Sequence, residues 1–275
     1  MLRYLFELSR PRFWLYVAGP ILVAAAYGAP SLEAARSPTV GLLFVYFLVP
    51  ANVYLYGVND LFDTDTDQYN PKKGRHEVSY RGQRLVPVIV LGSGLLLMPV
   101  AAVLPPETWG YLLLWAVLST AYSVPPLRFK ARPVLDSLSN GLYVVPGFAA
   151  YTVLAGTHPP MPAILGAWAW AMAMHTFSAI PDIEPDRAAG LETTATRLGT
   201  RGALWYCGLL WTGAAIAFGA LDWRLGMVLG TYPILLWLVV RAEIRIDRAY
   251  WWYPAINTVL GGVLTVGGLW RLIYG

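Results

Sequence analysis

An all-α, polytopic membrane protein is the fold class this sequence predicts. Of its 275 residues 57% are hydrophobic and only 13% charged, against about 25% charged in an ordinary soluble domain. Apolar windows of about 17–25 residues, the length that crosses ~30 Å of hydrocarbon, recur nine times along the chain. The basic residues fall almost wholly on one side of the membrane that those windows define.

The windows are 13–29, 39–57, 85–104, 109–124, 135–156, 162–180, 203–221, 225–241 and 253–273. The first follows Arg10 and Arg12 and ends in Ala24-Ala25-Ala26, the outline of a signal peptide. Pro20 and the Trp/Tyr content are unusual for one, and eight further windows make a separate secretion signal unnecessary. With the N-terminus inside, the segment before the first window carries Arg3, Arg10 and Arg12. Lys72, Lys73, Arg75, Arg81 and Arg84 lie between the second and third. Arg128, Lys130 and Arg132 follow the fourth, Arg187, Arg197 and Arg201 the sixth, and Arg241, Arg245 and Arg248 the eighth. Of the 20 Lys and Arg, only Arg36, Arg224 and Arg271 fall outside. This asymmetry is what the positive-inside rule predicts for correctly placed spans, and it sets the N-terminus in the cytoplasm and the C-terminus outside the plasma membrane.

Other features narrow the class further. The 12 Trp and 17 Tyr cluster near the ends of apolar runs, as residues that favour the membrane interface do. A formal charge of +4, scattered along the chain, argues for no nucleic-acid partner. The lone Cys207 forms no internal disulfide and reads as a small buried hydrophobe. No polar stretch is long enough to fold alone, so residues 1–275 form a single integral-membrane domain with cytoplasmic cap loops near 58–84 and 181–202. Pro50, Pro146 and Pro181 are expected to kink or end spans.

Two acidic segments stand out, because carboxylates are costly beside a bilayer and repel one another. One is Asn59-Asp60-Leu61-Phe62-Asp63-Thr64-Asp65-Thr66-Asp67, after the second window. The other is Asp182-Ile183-Glu184-Pro185-Asp186, after the sixth. Both follow even-numbered windows and so emerge on the cytoplasmic side. On a helix Asp60, Asp63 and Asp67 share about 60° of arc, and Asp182 and Asp186 lie one turn apart. Asp65 and Glu184 point elsewhere. Opposed carboxylates need cations, and hard oxygen ligands select Mg²⁺, Mn²⁺ or Ca²⁺. Basic residues in the adjoining loops (Lys72, Lys73, Arg75, Arg128, Lys130, Arg187 and Arg197) favour a metal-bound diphosphate over a bare ion, although the positive-inside rule alone would place most of them there. An EF-hand is excluded: a loop opening at Asp63 has Gln68 where Gly is needed and Gly74 where the closing Glu is needed.

These residues resemble the UbiA superfamily of intramembrane prenyltransferases. Asn59, Asp60, Asp63 and Asp67 fill that family's first motif, and Asp182 and Asp186 fill its second. Gly190 and the run from Thr193 to Gly199 are similar to its continuation. The resemblance spans essentially the whole chain and implies nine transmembrane helices enclosing a lipid-accessible cavity. It further implies two Mg²⁺ ions, with Mn²⁺ able to substitute, held by Asn59 and the five aspartates against a prenyl diphosphate donor. Tyr122 is followed by Ser-Val-Pro-Pro-Leu-Arg-Phe-Lys, a departure from the family's Tyr-x-x-x-Lys element that leaves the role of Lys130 open. The segments Ser9–Tyr16, Asn70–Lys73 and Ala179–Asp186 look like the lycopene elongases, which add a C5 unit from dimethylallyl diphosphate to lycopene, in some cases with hydration. Quinone-precursor, chlorophyll, haem O and ether-lipid prenyltransferases share the same two motifs.

Such chemistry needs charge neutralisation of the leaving diphosphate and scarcity of water around an allylic cation. Tyr54, Tyr56, Phe62 and Tyr122 lie near the acidic ends in sequence, where their faces would stabilise a cation, although most aromatics here are core or interface. A hydrophobic isoprenoid acceptor would enter from the membrane lipid and require no strong general base. Asn52, Asp136, Asn140 and His175 are polar groups inside apolar windows, with Asp136 near enough to Arg132 to pair and His175 readable as a core histidine. A cation-coupled transporter is the alternative from another class; it would want midplane carboxylates and inverted repeats, and neither is evident.

Overall fold

Val49 and Pro50 break the second apolar window in a way the sequence dictates. Proline has no N–H to give the preceding turn, so the chain stops one helix and starts another, with Val49 at φ −122°, ψ −64° between them. The Asn52 amide donates to the exposed carbonyls of Phe47 and Leu48 at 2.9 and 3.0 Å, sealing the break.

The computed structural model describes residues 2–63, 80 and 82–275; Asp65, Asp67, Lys72, Lys73, Arg75 and Arg81 lie outside the described residues. Fifteen α-helices and no strand occur among the described residues. They are α1 (Leu2–Leu8), α2 (Trp14–Gly28), α3 (Leu32–Ala35), α4 (Pro38–Leu48), α5 (Pro50–Phe62), α6 (Leu85–Leu95), α7 (Leu97–Ala102) and α8 (Trp109–Ser123). The remainder are α9 (Leu135–Leu138), α10 (Val145–Ala155), α11 (Met161–Ala179), α12 (Ile183–Ala188), α13 (Thr194–Gly219), α14 (Trp223–Arg241) and α15 (Ile246–Tyr274).

All nine expected windows are helical, and seven helical stretches among the described residues are long and apolar enough to cross a membrane. The other two, α2 and α8, have 15 residues each, about 22 Å at ~1.5 Å per residue. The window expected at 135–156 is not one helix. A 3₁₀ turn, Ser139–Tyr143, separates α9 from α10, and Pro146 sits in the first turn of α10, where proline is tolerated. Pro181 lies in a 3₁₀ turn, Ile180–Asp182, that ends α11.

Packing gathers the chain into two units. The first comprises Met1–Arg128, Val145–His158 and Thr265–Gly275. There α2 packs on α4 and α10, and α5 packs on α4, α6 and α8. Leu8, Val53, Val58, Val86 and Val90 form a buried cluster joining α1, α5 and α6. Along the α5–α8 contact, Tyr54 and Thr120 share a hydrogen bond of 2.7 Å, and Asn59 donates to Ser123 at 3.1 Å.

The second unit comprises Phe129–Val144 and Pro159–Leu264. Its centre is aromatic: Trp211 of α13 stacks on Tyr232 of α14 and Tyr253 of α15 at 5.6 and 5.8 Å, and Phe177 of α11 meets Tyr253 at 4.9 Å. Such pairs contribute about 0.5–1.5 kcal/mol each beyond area burial. Cys207, fully buried, donates weakly to the Ala173 carbonyl at 3.4 Å and fills space, as its sequence context implied.

The close approach of α5 and α6 depends on Gly57, where an added Cβ would lie 2.3 Å from a Val90 methyl. Gly57→Ala is therefore expected to lower stability by about 1–3 kcal/mol through overpacking. Thermal unfolding in detergent should show the loss, and Val90→Ala in the same chain should restore most of it.

Candidate functional site

In the first unit the acidic motif lies at the C-terminal end of α5. Asp60 is in the last turn, 2% exposed, and Asp63 closes the helix at φ −110°, ψ 7°, 7% exposed. The helix dipole is negative at this end, so both carboxylates are doubly disfavoured without a cation.

Arg10 supplies a cation to Asp60. Arg10, between α1 and α2, approaches Asp60 at 3.4 Å, and its guanidinium lies over the Tyr56 ring at 4.5 Å. Its backbone is left-handed, φ 49°, an uncommon conformation for a residue with a Cβ. The turn is fixed from both sides. Ser9 Oγ donates to the Phe6 carbonyl at 2.7 Å, and the Trp14 indole donates to Ser9 O and Oγ at 3.1 and 3.0 Å. Tyr4 on α1 completes this corner: burial, and secondarily the charge of Asp60, push its hydroxyl above the ordinary tyrosine range. Asn59 is tied to Ser123, which places the motif beside the α8 end that bears the half-buried Tyr122. Tyr56 serves as the surface on which Arg10 rests, Tyr54 bonds Thr120, and Phe62 is exposed at 43%. Arg128 follows in the first unit with φ 40°.

The second unit holds the other motif. Asp182 ends a 3₁₀ turn (φ −95°, ψ 2°) and takes the N-cap position of the short α12, in which Asp186 lies. Both are half-buried, whereas Glu184 is exposed and accepts from Arg187 at 2.8 Å. Arg187 also donates to the Thr196 carbonyl at 3.1 Å. Thr193 and Thr196 form a reciprocal capping box that starts α13, and exposed Arg197 lies in its first turn. Gly199, at φ 65° and ψ 172°, separates that turn from the long remainder of α13. Lys130 is half-buried in a 3₁₀ turn, Phe129–Ala131.

The intramembrane polar residues are also placed. Asn140 donates to the Asp136 carbonyl at 2.6 Å, a local bond. Asp136, 1% exposed, accepts from the Thr194 N–H at 2.9 Å and from the Thr194 hydroxyl, and His175 Nε2 lies 3.7 Å away. Among the described residues no three His, Cys, Asp or Glu side chains gather in one metal-binding group. What each motif offers there is a pair of hard carboxylate oxygens, a set suited to Mg²⁺, which completes its octahedron with water and phosphate.

Arg10, Tyr4 and Thr194 are the functional neighbours that sequence reasoning did not assign. Arg10 and Asp60 are fifty positions apart, and no local periodicity links them.

The helical membrane architecture and the paired acidic helix ends define a membrane-embedded enzyme class, and the comparisons agree. Residues 13–268 match the UbiA prenyltransferase family, and the chain belongs to that family. It groups with the lycopene elongases: it is 58% identical to the lycopene elongase/hydratase of Halobacterium salinarum over the whole of both chains. It is 55% identical to that of Haloferax volcanii, over 99% of this chain and 90% of that one. Among solved structures, a UbiA homolog from Archaeoglobus fulgidus bound to DMAPP and Mg²⁺ has the same fold, with a TM-score of 0.75 at 19% identity, covering 97% of this chain and 99% of that one. The protein is thus an integral-membrane prenyltransferase.

Arg10→Ala removes the guanidinium partner of a buried carboxylate, while Arg10→Lys keeps a charge there. Loss of one member of a buried pair is costly, and the partial exposure of Arg10 reduces the cost to about 1–3 kcal/mol. Thermal unfolding in chelator should therefore separate Arg10→Ala from wild type more than unfolding in millimolar Mg²⁺ does.

Proposed function

We propose that this chain transfers a dimethylallyl (C5) group from its diphosphate to the end of lycopene or a related carotenoid. The observation that carries this reading is Asp60 and Asp63 buried at the negative end of α5, with Arg10 alongside. Support comes from the relatives named lycopene elongase/hydratase and from the structural neighbour bound to DMAPP and Mg²⁺. Two Mg²⁺ ions, with Mn²⁺ able to substitute, would be held by Asn59, Asp60, Asp63, Asp67, Asp182 and Asp186. Once bound, such ions neutralise the charge of the leaving group.

The remaining roles belong to the chain itself. Lys72, Lys73, Arg75, Arg128, Lys130 and Arg197 bind diphosphate oxygens, and Tyr122 lines the approach. Breaking the allylic C–O bond releases diphosphate and leaves an allyl cation. The terminal double bond of the acceptor forms the new C–C bond to it, and the resulting tertiary cation loses a proton or captures water and then releases one. No strong general base is required, water or the departing diphosphate taking the proton, and apolar walls keep water from quenching the first cation. The active-site segments, 58–84 and 181–202, and the N-terminus face the cytoplasm from the plasma membrane, with the C-terminus outside; residues 1–275 act as one catalytic domain.

Expression in a lycopene-accumulating host should convert lycopene into pigments heavier by C5 units, with or without water, by mass spectrometry. Unchanged lycopene in cells with ample donor would redirect the assignment to a quinone-precursor or ether-lipid acceptor. Asp60→Asn, Asp63→Asn and Asp182→Asn should each abolish Mg²⁺-dependent transfer in protein that still folds. Full activity in all three would overturn the mechanism.

A further inference from the structure

We propose that Asp136 is a positioning residue for the second acidic motif, acting through Thr194 and His175; the inference rests on the diphosphate reading above. Among the described residues of the second unit, Asp136 makes no hydrogen bond to Asp182 or Asp186 themselves. Its carboxylate meets Thr194 and His175 directly and reaches Val134 through the Thr194 hydroxyl.

Thr194 is the first. One carboxylate oxygen accepts the Thr194 N–H and the other accepts its hydroxyl. From Thr194 the chain is closed back onto the motif by local bonds. Thr193 caps the same turn, the Leu191 N–H donates to the Asp186 carbonyl at 2.8 Å, and Arg187 reaches the Thr196 carbonyl. The segment from Asp182 to Arg197 is therefore a compact loop whose far end is held by Asp136. His175 is the second piece, on α11 seven residues before Asp182, with Nε2 at 3.7 Å. Val134 is the third. It adopts φ 73°, ψ −47°, a conformation strongly disfavoured for a β-branched residue. Its N–H donates to the Thr194 hydroxyl at 2.8 Å, and four residues upstream is Lys130.

Burying a carboxylate costs several kcal/mol, and mere helix packing would be served by apolar side chains. What the carboxylate adds is direction: two oxygens fix the Thr194 backbone and hydroxyl together, and the hydroxyl then fixes Val134. A fully satisfied buried network of this kind specifies one arrangement. The one specified here orients Asp182, Asp186, Arg197 and the Lys130 turn.

The test uses the full-length protein in detergent, with Mn²⁺ binding in the presence of inorganic pyrophosphate followed by electron paramagnetic resonance. Asp136→Asn and Thr194→Val should weaken Mn²⁺ binding roughly tenfold, the lower end for loss of a residue that orients metal ligands. They should also raise KM for the prenyl diphosphate while KM for the acceptor stays put. Thr194→Ser, which keeps the hydroxyl, should restore both. Folded variants with a lower Tm but unaltered Mn²⁺ affinity and KM would show a purely structural cluster and overturn the proposal. If Asp136→Asn does not fold, the Thr194→Val and Thr194→Ser pair decides, and equal Mn²⁺ affinity in the two counts against the clamp. Wild-type protein that binds no Mn²⁺ with pyrophosphate would instead sink the diphosphate reading, and the clamp's role with it.

Discussion

A carboxylate at the C-terminal end of a helix faces the negative pole of that helix's dipole, and Asp60 does so while almost fully buried. In a chain with few charges this is a standing demand for positive charge. The N-terminal segment answers it in part: α1 docks through Leu8 into the cluster with Val53, Val58, Val86 and Val90, and the turn after it delivers Arg10. That turn tolerates a left-handed arginine because Ser9 and Trp14 hold it from both sides. The apolar packing of the first unit and the electrostatics of its acidic end are thus two aspects of one arrangement.

The second unit solves a related problem differently. Asp136 is buried too, but its charge is met by a backbone N–H, a hydroxyl and an imidazole nearby. The aromatic core of Trp211, Tyr232, Tyr253 and Phe177 holds α11, α13, α14 and α15 together, with Tyr232 also donating to Asn257 of α15 at 2.7 Å. Polar specificity is concentrated at the end of the unit where α9, α11 and the start of α13 meet.

Much of the fold was legible because apolar length and turn-forming proline are local signals. The helical windows, the proline breaks and the two acidic motifs all follow from residues near in sequence. Breaks inside a window were less legible. The 3₁₀ turn at Ser139–Tyr143 has a weak local signal in Ser139-Asn140-Gly141, three poor helix formers, which the apolar length of the run 135–156 masks. Pro181, legible as a break, ends α11 and turns the chain just before Asp182. Pairings across long separations, Arg10 with Asp60 and Thr194 with Asp136, were invisible because hydrogen bonding and charge leave no periodic trace.

The left-handed Gly199 divides α13 into a polar first turn and a long apolar shaft. A helix unbroken at that point would transmit any tilt or rotation of its membrane portion straight to Arg197 and the loop behind it. With the break, the turn answers to Asp136 and to its own capping box, while the shaft answers to its aromatic neighbours. The polar first turn and the apolar shaft can therefore shift independently, a mechanical insulation of one from the other.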